Sequence, residues 1–273
     1  MSEKASAQSN AGYTMPYSPT GKASLVEHPP WHFASDVIEI VYRTNPDDVR
    51  RILPPPLEPG SQPDLVTARV TEITSVSENN PDKAYRNPDA TQYAEAIITV
   101  TCSYKGENGV FIPFIWVDKD FSLMRGWLNG WPKKIATIKM THLHHLHPVL
   151  KGLEKGGKVG GVVTRHGNKV MFAGMEIEEE SSPEEVPRLG TYFGVRHLPS
   201  VDPASAPSLH EVVKVQTKNY RMSDVWKGRG ELEFPENDEE DLNFLAPKKI
   251  EGAFYFKSGW TNYGGTTIKR LNE

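Results

Sequence analysis

Residues 93–104 read Tyr93-Ala94-Glu95-Ala96-Ile97-Ile98-Thr99-Val100-Thr101-Cys102-Ser103-Tyr104. The run is rich in β-branched and aromatic residues and predicts a long strand. Lys105-Gly106-Glu107-Asn108-Gly109 follows, with the glycines and asparagine of a hairpin turn. Val110-Phe111-Ile112-Pro113-Phe114-Ile115-Trp116-Val117 is the apolar return strand.

The same pattern recurs outward from this hairpin. Upstream, the β-branched residues 37–42 and the alternating residues 65–75 predict strands. Between them, Asn45 is placed as an N-cap, with Pro46 at the first helical position and Asp47 and Asp48 in the first turn. A short helix over residues 46–52 should follow, stopped by Pro54-Pro55-Pro56. Residues 78–90 read as a loop. Downstream, Leu123, Met124, Trp127 and Leu128 fit a short helix over 122–129. Further strands are expected at 135–141, 158–165, 169–178, 209–220, 228–232 and 250–256. Those at 158–165 and 169–178 form a hairpin through His166-Gly167-Asn168. The acidic run 236–241 reads as a solvated loop. No repeat occurs at a fixed period. Many short strands, hairpin turns and few helices predict an α+β protein, mainly antiparallel. Its sheet should close into a barrel or cone with helices outside. Residues 1–30, dominated by Ser, Ala, Gly and Pro, read as an extended arm, and residues 31–273 as one domain.

Composition narrows the function. The net charge of −4 argues against a nucleic-acid binder, which needs a basic surface, but leaves room for a local positive pocket. The single cysteine, Cys102, rules out an intramolecular disulfide, and its strand context reads as a small buried hydrophobe. No stretch is long and apolar enough to span a membrane, and residues 1–10 lack the apolar centre of a signal peptide. A cytoplasmic protein is expected.

The chemistry concentrates in Gly130-Trp131-Pro132-Lys133-Lys134. Adjacent side chains of an extended chain point to opposite faces, so one lysine should face inward and the other away. An inward amine in an apolar cavity loses the solvation of its ammonium form, and its pKa falls. A neutral amine attacks a ketone carbon, and an ammonium does not. Read alone, the dipeptide also describes two solvated lysines at a strand end, because exposed lysines are the rule. The run His142-Leu143-His144-His145-Leu146-His147 invites a metal reading, but on a strand its histidines divide between two faces and neither pair completes a site. Partly buried polar residues at a strand or subunit contact fit it better. No glycine-rich phosphate loop is present.

As an ordered set, Ile40-Val41-Tyr42-Arg43-Thr44, Pro56-Leu57-Glu58, Tyr93-Ala94-Glu95 and Trp131-Pro132-Lys133-Lys134-Ile135 resemble the acetoacetate decarboxylase superfamily. Val225-Trp226-Lys227-Gly228 and Pro247-Lys248-Lys249-Ile250 extend the resemblance, which covers about residues 30–270. It implies that Lys133 is the imine-forming lysine, flanked by Lys134, and that Glu95 is the active-site glutamate. Tyr93 and Trp131 accompany them in the same motifs. It also implies a small keto-acid substrate, no cofactor or metal, and a homo-oligomer. Two positions depart from the family's decarboxylases. Their cavity arginine falls here on Ser35, and a second glutamate falls on Arg69. Glu72 should face the opposite side of its strand and replaces nothing. Arg69 could clamp a substrate carboxylate from another wall, or be a surface ion-pair residue.

Three functions follow as expectations. The first is decarboxylation of a β-keto acid through a Lys133 imine. The second, towards which Ser35 and Arg69 shift weight, is aldol condensation and dehydration on pyruvate and an aldehyde, with Glu95 as acid–base partner. The third is a non-catalytic binding protein that keeps the cavity.

Overall fold

The structure, a computed structural model, describes residues 12–188 and 190–272. Its elements run β1 (Trp31–Arg43), α1 (Pro46–Ile52), β2 (Glu58–Pro59), β3 (Leu65–Ser77), α2 (Lys83–Arg86), β4 (Gln92–Tyr104), β5 (Glu107–Val117), α3 (Asp120–Leu128), β6 (Lys133–Ile135), β7 (Thr137–Met140), β8 (Lys158–Arg165), β9 (Asn168–Glu180), β10 (Tyr192–Leu198), β11 (Leu209–Glu233) and β12 (Lys249–Arg270).

The strands form one sheet, ordered β10-β5-β4-β3-β1-β12-β11-β9-β8-β7, with β2 and β6 attached to β4 and β5. Strand β10 pairs with β5 on one side and with β11 on the other. The path β5-β4-β3-β1-β12-β11-β10 therefore closes on itself, and the sheet is a ring. Pairing is antiparallel except at β5–β10 and β5–β6. Around the ring, β1, β3 and β4 are buried on both faces. Ile38, Ile40, Val70, Ala96 and Ile98 enter the main core, and the alternate residues face a cavity. Burial on both faces is why these strands read as near-continuous apolar runs.

The 93–117 hairpin turns at Lys105-Gly106, where both residues have positive φ (50° and 82°), as a tight hairpin turn requires. Helix α1 spans its expected residues, and the Asn45 side chain accepts from the Asp47 N–H.

Several local expectations are corrected. Residues 135–141 are two strands, because the chain leaves β5 after Ile135 and joins β8 from Thr137. Residues 209–220 and 228–232 belong to one strand, β11. Its register shifts against β12, and its positive-φ residues Asn219 and Asp224 give the intervening sequence a loop-like look. Strand β10, with its glycine and polar residues, was missed. The 78–90 loop contains α2 and a 3-10 turn at Pro88–Ala90. In the acidic run, Glu240 is buried, whereas Glu236, Asp238, Glu239 and Asp241 are exposed. The histidine run lies beyond β7 in no strand, and His142, His144, His145 and His147 are exposed. Residues 1–11 of the arm, and with them the whole signal-peptide reading, lie outside the described residues. Residues 12–30 carry no helix or strand, yet Val26 is buried beside Trp31 and Phe33. No helix among the described residues is long and apolar enough to cross a membrane.

Candidate active site

Strand register decides which lysine faces the cavity. Glu39, Arg69, Ile97, Ile115 and Lys133 are successive cross-strand partners on β1, β3, β4, β5 and β6. Partners in a pleated sheet share a face. The adjacent row, Ile38, Val70, Ala96, Trp116 and Lys134, belongs to the other face. Parity thus sends Lys133 towards Arg69 and Lys134 away.

Helix α3 sets where this short strand begins. Its C-terminus closes with Gly130 at φ 74°, while the N–H groups of Gly130 and Trp131 donate to Trp127 O and Gly126 O. That is a Schellman closure, and Pro132 immediately after it prevents the helix from continuing. The Trp127 indole N–H donates to the Lys133 carbonyl at 3.0 Å, tying β6 to the helix.

Lys133 is 3% exposed. Its Nζ donates to Glu95 Oε2 at 2.6 Å and to Ser122 Oγ at 2.9 Å. The Tyr93 and Trp131 rings stand 5.6 and 5.8 Å from it. Burial pushes the amine below the usual lysine range, the Glu95 carboxylate pulls it back up, and the Arg125 guanidinium pushes it down again; the net direction is down. Desolvation leads, as the two-face argument anticipated, and the like charge acting on the amine is Arg125. Lys134 instead donates to Glu240 Oε2 at 2.6 Å. Glu240 also accepts from the Trp116 indole.

A cavity of about 670 Å³ opens over the amine, and Ser35, Arg69, Tyr93, Glu95, Trp131 and Lys133 all line it. Of the supporting residues expected from sequence, Lys134 alone stands outside this lining. Ser35 Oγ lies 2.9 Å from Ser258 Oγ. Arg69 pairs through Nε with Glu39, which is fully buried and has its other oxygen unpartnered. Burial drives the Glu39 carboxyl upward against the pull of Arg69. Glu72 faces away from the cavity, with Oε1 3.3 Å from His142 Nε2. Among the described residues no three His, Cys, Asp or Glu side chains are grouped to hold a metal ion. Cys102 is buried and free, its thiol pushed up to about 12 by burial.

Sequence reading missed Arg125, Ser122 and Glu39. Arg125 is buried; both its Nη atoms donate to Ser75 Oγ, and it lies over the Phe33 ring at 4.7 Å. A lone arginine amid the apolar residues of 122–129 was the available signal. For Glu39 the signal was an acid inside an apolar strand, which must find a cation.

A cavity inside a closed strand ring, with a buried lysine bonded to a glutamate, fits an enzyme that takes a small molecule. The model of the acetoacetate decarboxylase family matches residues 14–271, and the chain belongs to that family. It is a carbon–carbon lyase. An acetoacetate decarboxylase-like enzyme from Sphingomonas wittichii RW1 is 32% identical with a TM-score of 0.89, over 96% of this chain and 100% of that one. The enduracididine biosynthesis enzyme MppR, solved with the condensation product of pyruvate and imidazole 4-carboxaldehyde, is 29% identical with a TM-score of 0.86, over 97% of this chain and 98% of that one. The acetoacetate decarboxylase of Clostridium botulinum (strain Eklund 17B / Type B) is 24% identical over 223 residues, 81% of each chain.

Proposed function

We propose that the chain joins a keto acid of the pyruvate class to an aldehyde through an imine on Lys133. The observation that carries this reading is the buried Lys133 amine, 2.6 Å from Glu95. The amine adds to the ketone carbon and water leaves, giving an iminium. Glu95 takes a proton from the adjacent carbon, and the electron pair moves into an enamine. That carbon bonds to the aldehyde carbon, whose oxygen takes up a proton. A second deprotonation beside the iminium expels the new hydroxyl as water. Hydrolysis then frees Lys133. The net change is keto acid plus aldehyde to unsaturated keto acid plus water. The iminium is itself the electron sink, so the sequence of steps asks for no cofactor.

The charges of the lining support condensation over decarboxylation. A carboxylate leaves as carbon dioxide more readily from apolar or negative surroundings, and cations hold it back. Here Arg69 and Arg125 line the cavity, and Glu95 is its one lining acid among the described residues. The likeness to MppR, solved with a pyruvate condensation product, supports the same reading. Decarboxylation of a β-keto acid is the second reading, supported by the curated decarboxylase relatives.

One experiment separates them. The protein is incubated with pyruvate or acetoacetate, with and without an aldehyde, and then reduced with borohydride. A mass adduct on Lys133 with pyruvate, together with aldehyde consumption, is expected. Carbon dioxide release from acetoacetate without aldehyde consumption would turn the reading to decarboxylation. Absence of an adduct with any keto acid would leave a binding protein.

A further inference from the structure

We propose that the aldehyde partner is itself an anion: it carries a carboxylate, which Arg69 receives inside the cavity while Arg188 and Lys218 attract it at the rim. This rests on the imine reading above and names the second reactant.

The argument begins with Arg69. Its guanidinium is largely buried, with 14% of the side chain exposed, and it lines the cavity. Nε is engaged by Glu39 and the guanidinium lies over the Phe256 ring at 5.8 Å, while the two Nη groups make no hydrogen bond to a described residue. A buried guanidinium with free Nη donors facing a cavity is a fork for a carboxylate. Strand β3 stands three strands from β6 in the ring. Arg69 and Lys133 therefore reach the cavity from different parts of its wall, and a chain lengthened by the newly joined aldehyde can meet both.

The charge count agrees. The lining cations are Arg69, Arg125, Lys133, Arg188 and Lys218, and the lining acid is Glu95, with Glu39 behind Arg69. The Lys133–Glu95 and Arg69–Glu39 pairs balance, which leaves Arg125, Arg188 and Lys218 without a lining acid. The keto acid's carboxylate offsets one of these cations, and the others favour an anionic second reactant. Arg188 and Lys218 are exposed and form no ion pair with a described residue; Lys218 rests over the Tyr263 ring at 5.0 Å. Arg188 also attracts Glu184 electrostatically, and exposed cations at the mouth of a concave site concentrate anions there.

The test compares two aldehydes of matched shape, succinic semialdehyde and its methyl ester, each with pyruvate. The intact protein should favour the acid by about tenfold or more in kcat/KM, the usual worth of a charge-assisted hydrogen bond. In Arg69→Gln that ratio should collapse towards one, and Arg69→Lys should restore part of it. Should Arg69→Gln fail to fold with Glu39 beneath it, the exposed rim variants Arg188→Ala and Lys218→Ala provide the readout: each should lower the ratio, and more at low salt than at high. Equal use of acid and ester by the intact protein, or a ratio untouched by every variant, overturns the proposal. The borohydride adduct with pyruvate alone distinguishes the two failures. Adduct without preference sinks this inference only, whereas no adduct sinks the imine reading and this inference with it.

Discussion

Gly126 of α3 lies against the stem of Lys133: a Cβ on Gly126 would stand 2.3 Å from Lys133 Cδ and 2.5 Å from Cγ. No non-bonded carbon pair approaches so closely, so the Lys133 side chain reaches Glu95 only because the helix has a glycine there.

Gly126→Ala therefore has opposed effects. It favours the helix by up to about 1 kcal/mol and overpacks the lysine channel by about 1–3 kcal/mol. A net loss of up to about 2 kcal/mol is expected in denaturant unfolding. Displacing the amine by an ångström should slow adduct formation with a keto acid by about a hundredfold. A parental trapping rate in this variant would show that the channel has room to spare.

Lys133 links stability to pH. Its pKa is lower in the folded chain than the unfolded value of 10.5. Between the two values the unfolded chain binds more protons, so stability rises with pH through that window. The favourable contribution is complete above 10.5 and lost as pH falls through the folded value. Lys133→Met should abolish the trapped adduct. It should also gain stability over the parent most at neutral pH, with the gain shrinking towards pH 10.5. A stability difference that stays level across this range in chemical denaturation would contradict the buried-amine assignment.

Arg125 tunes the same amine. Its charge pushes the Lys133 pKa down, so removing it should move the acidic limb of the rate profile to higher pH. Arg125→Met is expected to show that displacement, and Arg125→Lys to reverse most of it. A limb that stays put in Arg125→Met would assign the lowering to burial alone.

Lys134 serves the opposite face. Lys134→Ala leaves Glu240 buried with Trp116 and, at 3.7 Å, Arg165 as neighbours. The expected result is a loss of about 1–3 kcal/mol in unfolding experiments. Keto-acid trapping at Lys133 should keep its rate. A large fall in trapping with intact folding would return Lys134 to the catalytic apparatus.

Strands and helix caps were legible because their causes are local. Asn45-Pro46 starts α1, and the apolar residues 93–104 form β4. Strand β10 was not legible. Its register comes from partners on β5 and β11, both far away in the chain. The histidine run was misplaced for a related reason: periodicity suggests a strand wherever residues alternate, but a strand also needs an edge to join, and the last bonds to β8 are those between Thr141 and Gly160.

In the site, the resemblance to the acetoacetate decarboxylase family picked out Lys133 and Glu95, and alternation required that Lys133 and Lys134 part company. Alternation is symmetric and could not say which lysine turns inward. Pairing of Ile115 with Lys133 broke that symmetry, because it carries the face of Arg69 and Ile97 across to β6. The partners of each charge were equally beyond local reading. Glu39 with Arg69, Lys134 with Glu240 and Arg125 with Ser75 join residues 30 or more positions apart. Local chain energetics chooses a strand or a helix. Closing the ring decides which charges meet inside it, because that choice depends on long-range register and on burial that no short stretch of chain can supply.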